Sequence, residues 1–90
     1  MQPLTDADVR RAVGGRIAAA RQQAGLNQIQ LAEKLTAAGI ATRSQAVSSW
    51  ESGATSPTPA RQRLLAELLG YPWRQLFDVA AILPDDETAA

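Results

Sequence analysis

The sequence contains no cysteine and no histidine. Without these residues the chain has no disulfide, no zinc site of the Cys/His type and no nucleophile paired with a histidine base. It also has no glycine-rich phosphate loop and no cluster of metal-ligating side chains outside its acidic end. We therefore expect a protein that is not an enzyme and that has no cofactor, metal or small-molecule ligand.

Long apolar runs are also missing. No segment approaches the ~18 uninterrupted apolar residues of a membrane-spanning helix. The first residues have neither the basic region nor the apolar region of a signal peptide. We therefore expect a cytoplasmic protein with no membrane partner.

Aromatic residues are scarce, at two Trp, one Tyr and one Phe in 90 residues, whereas alanine and leucine are abundant. This composition favours helices over strands. Hydrophobic residues make up 46% of the chain, and a chain of this length buries one core and not two. The sequence predicts one all-α domain over residues 1–81, followed by a flexible acidic tail over residues 82–90.

The net charge is zero, but the charges are unevenly distributed. All nine cations lie between Val9 and Phe77, together with only three anions, so this segment carries a net charge of +6. The other six anions lie at the two ends of the chain. A basic centre between acidic ends is compatible with a polyanionic partner.

Two helices are predicted in the first half of the chain. The first spans about residues 6–24, with Thr5 as its N-cap and an apolar stripe. That stripe comprises Val9, Val13, Ile17, Ala20 and Ala24. A Gly14-Gly15 pair inside the helix indicates either a close neighbouring backbone or a bend. The second helix begins at Asn27, with Gln30 completing a capping box, and its apolar side comprises Ile29, Leu31, Ala32 and Leu35.

Three further helices are predicted after a loop. The third spans about residues 44–51, ends at Gly53, and has Thr42, Arg43 or Ser44 as its cap. The fourth begins at Thr58-Pro59 and ends at Gly70. The fifth begins at Pro72 and carries Trp73, Leu76, Phe77 and Ala80. Two short helices joined by a turn inside a five-helix bundle predict a helix-turn-helix.

The residues themselves resemble a known family. The segments GRIAAARQQAGLNQIQLAEKL, SQAVSSWESG and SPTPARQRLLAELLGYPWRQLF are similar to the lambdoid repressor and Cro type of helix-turn-helix domain, the XRE family. The likeness covers residues 9–77. It implies an all-α, five-helix, lambda-repressor-like domain that binds double-stranded DNA as a homodimer and regulates transcription.

The third helix has the composition of a DNA-reading helix. Ala46, Val47 and Trp50 fall at helical spacing and can pack inward. The outward residues are small or polar, and glutamine and serine side chains can bond to base edges. The resemblance places the base contacts at Ser44, Gln45, Ser48 and Ser49. Arg43, before the helix, can take a guanine or a phosphate, and its charge alone does not decide between them.

The resemblance also assigns roles outside the reading helix. Gln28, at the start of the second helix, matches the family glutamine that grips a phosphate, where free backbone amides and the helix dipole favour an anion. Arg21 and Glu51 match a structural ion pair. Further phosphate contacts are expected at Asn27, Thr55 and Arg61. Trp73 and Phe77 are expected in the core or in the dimer contact.

Two features depart from the family. The turn over residues 36–42 is several residues longer than in the compact phage repressors, which changes the tilt of the reading helix or adds a backbone contact. The loop over residues 53–56 lacks the usual lysines and arginines. Two rival functions stay open. The acidic segment from Asp78 to Glu87 would suit an antitoxin that binds a toxin partner as well as its operator, whereas the uncharged loop and the zero net charge would suit a protein-interaction module that has lost DNA binding.

Overall fold

The regular structure is helical throughout the part of the chain that the computed structural model describes, residues 5–78. The helices are α1 (Asp6–Gln23), α2 (Gln28–Ala37), α3 (Ser44–Ser52), α4 (Pro59–Leu69) and α5 (Trp73–Phe77). The prediction of an all-α bundle of five helices is confirmed. The expected helical Ala80 and the acidic tail over residues 82–90 lie outside the described residues.

The helix starts follow the capping residues of the sequence. Thr5 and Asp8 form a capping box on α1, and Asn27 and Gln30 form another on α2, with the Asn27 backbone N–H donating to Gln30 Oε1 at 2.8 Å. Hydrogen bonds from Thr5 hold the pKa of the Asp8 carboxyl below its usual value. Arg43 occupies the N-cap position of α3 without a side-chain capping bond, and Pro72 does the same at α5, so local capping does not fix the start of either helix.

The core lies between the first four helices and the short α5. Its largest fully buried side chains come from α1, α2, α3 and α4, with the aromatic ring of Trp50 beside them. They are Ile17, Leu31, Leu35, Val47 and Leu65.

Two apolar residues lie outside the core, contrary to expectation. Ile29, which the periodicity placed on the apolar side of α2, is 60% exposed. It is the second residue of α2, and the buried residues of that helix begin two positions later, at Leu31. Ala24 is exposed because it is the C-cap of α1, where the chain turns away from the bundle. The apolar stripe is therefore shorter than the sequence pattern implies.

Gly14 marks the closest approach of α1 to α3. A Cβ atom at this position would lie 2.6 Å from the carbonyl oxygen of Glu51 and closer still to that of Trp50. Gly15, by contrast, has nothing within 4 Å of such an atom. The Gly14-Gly15 pair is thus explained by a neighbouring backbone, since α1 runs through it without interruption.

Gly53 provides a second close contact between the same helices. Its φ of 84° is in the left-handed region, and an added Cβ would lie 2.6 Å from Cγ of Arg11. The end of α3 therefore lies against the first half of α1 at two glycines, which fixes how closely the two helices pack.

The glycine pair gives a matched test of this packing. Gly14→Ala should destabilise the protein by roughly 1–3 kcal/mol, because the clash is with backbone carbonyls that cannot rotate away. Gly15→Ala should stabilise it by about 0.5–1 kcal/mol, since alanine is the better residue in an open helical position. Urea unfolding followed by circular dichroism measures both values. Equal effects of the two substitutions would contradict the close approach.

Candidate nucleic-acid interface

The two sides of α3 differ in burial. Val47 and Trp50 are buried in the core, at 0% and 4% exposed. On the opposite side Gln45 and Ser48 are exposed, and they lie three residues apart, so they share one face of the helix. The structure thus places an amide and a hydroxyl at the surface of a helix that is anchored from behind.

The four predicted base-contacting residues are not equally accessible. Ser44 and Ser49 are half-buried, whereas Gln45 and Ser48 are exposed. Ser52, which the sequence analysis did not select, is also exposed and lies seven residues after Gln45 on the same face. The spacing of Gln45, Ser48 and Ser52 was visible in the sequence, but Ser52 lies beyond the predicted helix end.

The end of α3 is held by a two-point ion pair with α1. Arg21 donates from Nε to Glu51 Oε2 at 2.6 Å and from Nη2 to Glu51 Oε1 at 3.0 Å. The two side chains are only 11% and 9% exposed. The hydrogen bonds to Glu51 raise the pKa of Arg21, although burial alone would lower it. The third arginine nitrogen, Nη1, donates to the Leu26 carbonyl at 2.8 Å. This bond links the ion pair to the residues just before α2.

Gln28 is part of the same cluster. Its Nε2 donates to Glu51 Oε1 at 2.9 Å, so the first residue of α2 is bonded to the last turn of α3. Sequence reasoning missed this bond because it joins residues 23 positions apart. One of the two N–H hydrogens of the Gln28 side chain forms this bond to Glu51. The second could still be donated to a phosphate, and the phosphate role of Gln28 stays a prediction.

A further bond joins α1 to the end of α3. Arg10 donates from Nε to the carbonyl of Gly53 at 2.9 Å. The sequence favoured a solvated position for Arg10, because nothing in its surroundings distinguishes it from its neighbour Arg11, and the bond to Gly53 corrects that expectation. The C-terminal end of α3 is therefore bonded to α1 through both Arg21 and Arg10.

The turn between α2 and α3 is internally braced. Thr36 Oγ1 accepts from the Thr42 backbone N–H at 3.0 Å and donates to the Thr42 carbonyl at 3.1 Å. Arg61, from α4, donates from Nη2 to the Ala41 carbonyl at 2.8 Å. The Arg61 guanidinium is therefore directed at the protein backbone and not only at solvent. The turn is therefore held by one side chain from α2 and one from α4.

The remaining predicted DNA contacts lie near the ends of α2 and α3. Arg43, immediately before α3, and Thr55, in the loop after it, are exposed. Asn27 is exposed as well, and its side-chain oxygen caps α2 by accepting from the Gln30 N–H at 2.7 Å. These side chains surround the N-terminus of α2 and both ends of α3, but only Arg43 among them is charged.

Trp73 and Phe77, the two predicted core or dimer residues, occupy different environments. Phe77 is 6% exposed and belongs to the core, so its ring has little surface to offer a partner. Trp73 is 43% exposed, and its Nε1 donates to Gln62 Oε1 at 3.0 Å. Of the two rings, Trp73 is the one that is accessible to a second molecule.

Two short helices that pack on one another and are joined by a turn, the second with an exposed polar side, are typical of the helix-turn-helix class of DNA-binding domain. A family model described as Helix-turn-helix matches residues 17–76, more than half of the chain. The chain belongs to this family, the Cro/C1-type or XRE helix-turn-helix proteins, and its fold is lambda-repressor-like. It is a DNA-binding helix-turn-helix regulator. No curated protein and no solved structure matches the chain.

The family consists of DNA-binding regulators that are generally not enzymes. Among residues 5–78, no three Asp or Glu side chains come together in a way that could hold a metal ion. Within the same span, no helix has the length and apolar character needed to cross a membrane.

Glu51 can be tested by removing its carboxylate. Glu51→Ala should destabilise the protein by about 3–5 kcal/mol, because it leaves the nearly buried Arg21 charge unpaired. Arg74→Ala is the matched control, since it breaks the Arg74–Asp78 pair, in which Arg74 is 79% exposed. That exposed pair should contribute less than about 1 kcal/mol. The free energy of unfolding in urea gives both values, and similar losses in the two variants would contradict a structural role for Glu51.

Proposed function

We propose that this protein is a sequence-specific transcriptional regulator, of the repressor or Cro-like type, that reads DNA with α3 in the major groove. The observation that carries the proposal is the division of α3 into a buried side and an exposed side that bears Gln45 and Ser48. A glutamine amide can form two bonds with an adenine edge, and a serine hydroxyl can bond to several bases. Ser44 and Ser49 complete the proposed reading face from half-buried positions, and Arg43 contacts a base or a phosphate.

The phosphate contacts are proposed at the ends of α2 and α3. Gln28 and Asn27 lie at the N-terminus of α2, where backbone amides and the helix dipole favour an anion. Thr55 lies in the loop after α3. These groups are uncharged, so they orient the protein on the duplex without supplying much non-specific attraction.

The proposed operator is a near-palindrome bound by a homodimer. Two copies of α3 would then enter major grooves about 34 Å apart. The exposed Trp73 is the proposed centre of the dimer contact, because exposed tryptophans are common at the core of protein interfaces. A cytoplasmic location, where such DNA is found, belongs to the same proposal.

The DNA-reading role is tested by titrating labelled genomic fragments, including the DNA upstream of the coding sequence, at two salt concentrations. One fragment should be preferred over bulk DNA, and binding should weaken as salt rises. If no fragment is preferred, the regulator proposal fails and the protein-interaction alternative, with a toxin as one such partner, is favoured.

Gln45 and Gln28 should respond differently in this titration. Gln45→Ala should remove about 1–3 kcal/mol of preference for the chosen fragment, since it deletes a base contact. Gln28→Ala should weaken all sequences alike, because a phosphate carries no sequence information. Gln22→Ala, at an exposed glutamine on α1, is the control and should change neither quantity. Circular dichroism confirms that each variant is folded, which matters for Gln28 because of its bond to Glu51. A loss confined to some sequences would instead indicate that Gln28 acts through its bond to Glu51, which orients α3, and not through a phosphate.

The dimer contact is tested by Trp73→Ala. Sedimentation equilibrium should show a shift of the variant toward monomer, by about 2 kcal/mol or more in the association free energy. Ile29→Ala is the control, because Ile29 is the other large apolar residue that is exposed among residues 5–78. If Ile29→Ala shifts the equilibrium and Trp73→Ala does not, the interface lies on α2 instead.

A further inference from the structure

The segment between α2 and α3 leads directly into the start of α3, and it contains little that packs. Of residues 38–43 only Ile40 and Thr42 are even half-buried, and the rest are exposed. Its backbone leaves α2 through Gly39, whose φ is 113°, with the Ile40 N–H donating to the Leu35 carbonyl at 3.0 Å. With so little burial, the path of this segment depends on its hydrogen bonds.

Two side chains supply bonds to the far end of the segment. Thr36, in the last turn of α2, bonds to both backbone groups of Thr42. Arg61, in the first turn of α4, donates to the Ala41 carbonyl at 2.8 Å, and its Nη1 lies 3.4 Å from Thr58 Oγ1. Arg61 therefore spans from α4 to the residues directly before α3.

The hydrogen bond from Arg61 to the Ala41 carbonyl joins this segment to α4. A cleft of about 330 Å³ lies at the same place, and Ala41, Thr42, Arg43, Thr58 and Arg61 are among the residues that line it. Gln45, one of the two exposed proposed base contacts, also lines this cleft. The start of α3 also lacks a side-chain cap, so no local capping bond fixes it.

We propose that Arg61 is a positioning residue for DNA reading. In this proposal its guanidinium, together with Thr36, clamps residues 41–42 and so sets the angle at which Gln45 and Ser48 are presented. This role differs from the phosphate contact predicted for Arg61 from the sequence, and it rests on the proposed function for its effect on DNA. A clamp changes preference among sequences, whereas a phosphate contact changes affinity for all of them.

The clamp can be perturbed with and without a change of charge. Arg61→Ala removes the bond and one cation, whereas Thr36→Val removes the other brace and leaves the charge unaltered. Arg63→Ala is the matched control, because it removes an exposed arginine two residues further along the same helix. The stability of the first turn of α3 is measured by hydrogen exchange in the free protein. The amides to follow are those of Ala46 and Val47, which both bond to the Arg43 carbonyl.

Arg61→Ala and Thr36→Val should each speed exchange at Ala46 and Val47 about tenfold and leave the amide of Leu65 unchanged. Both should also lower the preference for the chosen fragment over bulk DNA about tenfold, with the salt dependence of bulk DNA binding unaltered. Arg63→Ala should leave the exchange rates and the preference as they are in the parent protein.

Three results would overturn the clamp. The first is unchanged exchange in Arg61→Ala. The second is faster exchange without any loss of preference. The third is equal weakening on all DNA with a salt slope lower by about one, which is the signature of a phosphate contact.

The test also separates the clamp from the proposed function. If the parent protein prefers no fragment, the regulator proposal fails, and the exchange rates alone then decide whether Arg61 holds the turn.

Discussion

The geometry of the helix-turn-helix depends on the carboxylate of Glu51. It accepts bonds from Arg21 on α1 and from Gln28 at the start of α2, while its own residue belongs to the last turn of α3. Three helices thus meet at one nearly buried anion. Such a group is costly to bury alone, and its partners satisfy both of its oxygens. Because the bonds are short and directional, they fix orientation as well as proximity.

This cluster works together with the close approach of α1 to α3. Gly14 lets the carbonyl end of α3 lie against α1, and Arg10 bonds to the carbonyl of Gly53 just beyond it. Carbonyl groups at a helix end have no partners within the helix, and a cationic side chain is well suited to satisfy them. The C-terminal end of α3 is therefore fixed by packing, charge and hydrogen bonds. Its N-terminal turn is held by the burial of Val47 and by the braced turn that precedes it, so the two ends of α3 are held by different means.

Local chemistry explains which parts of this arrangement could be predicted from the sequence. The capping boxes at Thr5 and Asn27 and the left-handed Gly53 and Gly70 depend on neighbouring residues, so the starts of α1 and α2 and the ends of α3 and α4 were predicted to within about a residue. The Arg21–Glu51 pair was predicted because the sequence resembles the family, and the structure contains it at hydrogen-bond distance. Gly14 and Gly15 could not be distinguished in the sequence, because only the position of α3 makes one of them indispensable.

Three features could not be predicted because they depend on how the helices are placed. Ile29 fits the apolar period of α2 but lies two residues before the first buried residue of that helix. The bond from Gln28 to Glu51 joins the two ends of the helix-turn-helix, and the bond from Arg61 to Ala41 joins residues 20 positions apart. In each case the residue type allows several partners, and the tertiary fold selects one.

The charge distribution explains why orientation matters so much in this protein. The proposed reading face carries an amide and hydroxyls, and the loop over residues 53–56 has no cation. Non-specific attraction to DNA rises with the number of phosphates that cations neutralise, so this surface supplies little of it. Discrimination must then come from hydrogen bonds to base edges, and these weaken steeply as their angles depart from linear. Because α3 carries so little positive charge, its proposed role requires a fixed orientation. The Glu51 cluster fixes one end of the helix, and the braced turn helps to fix the other.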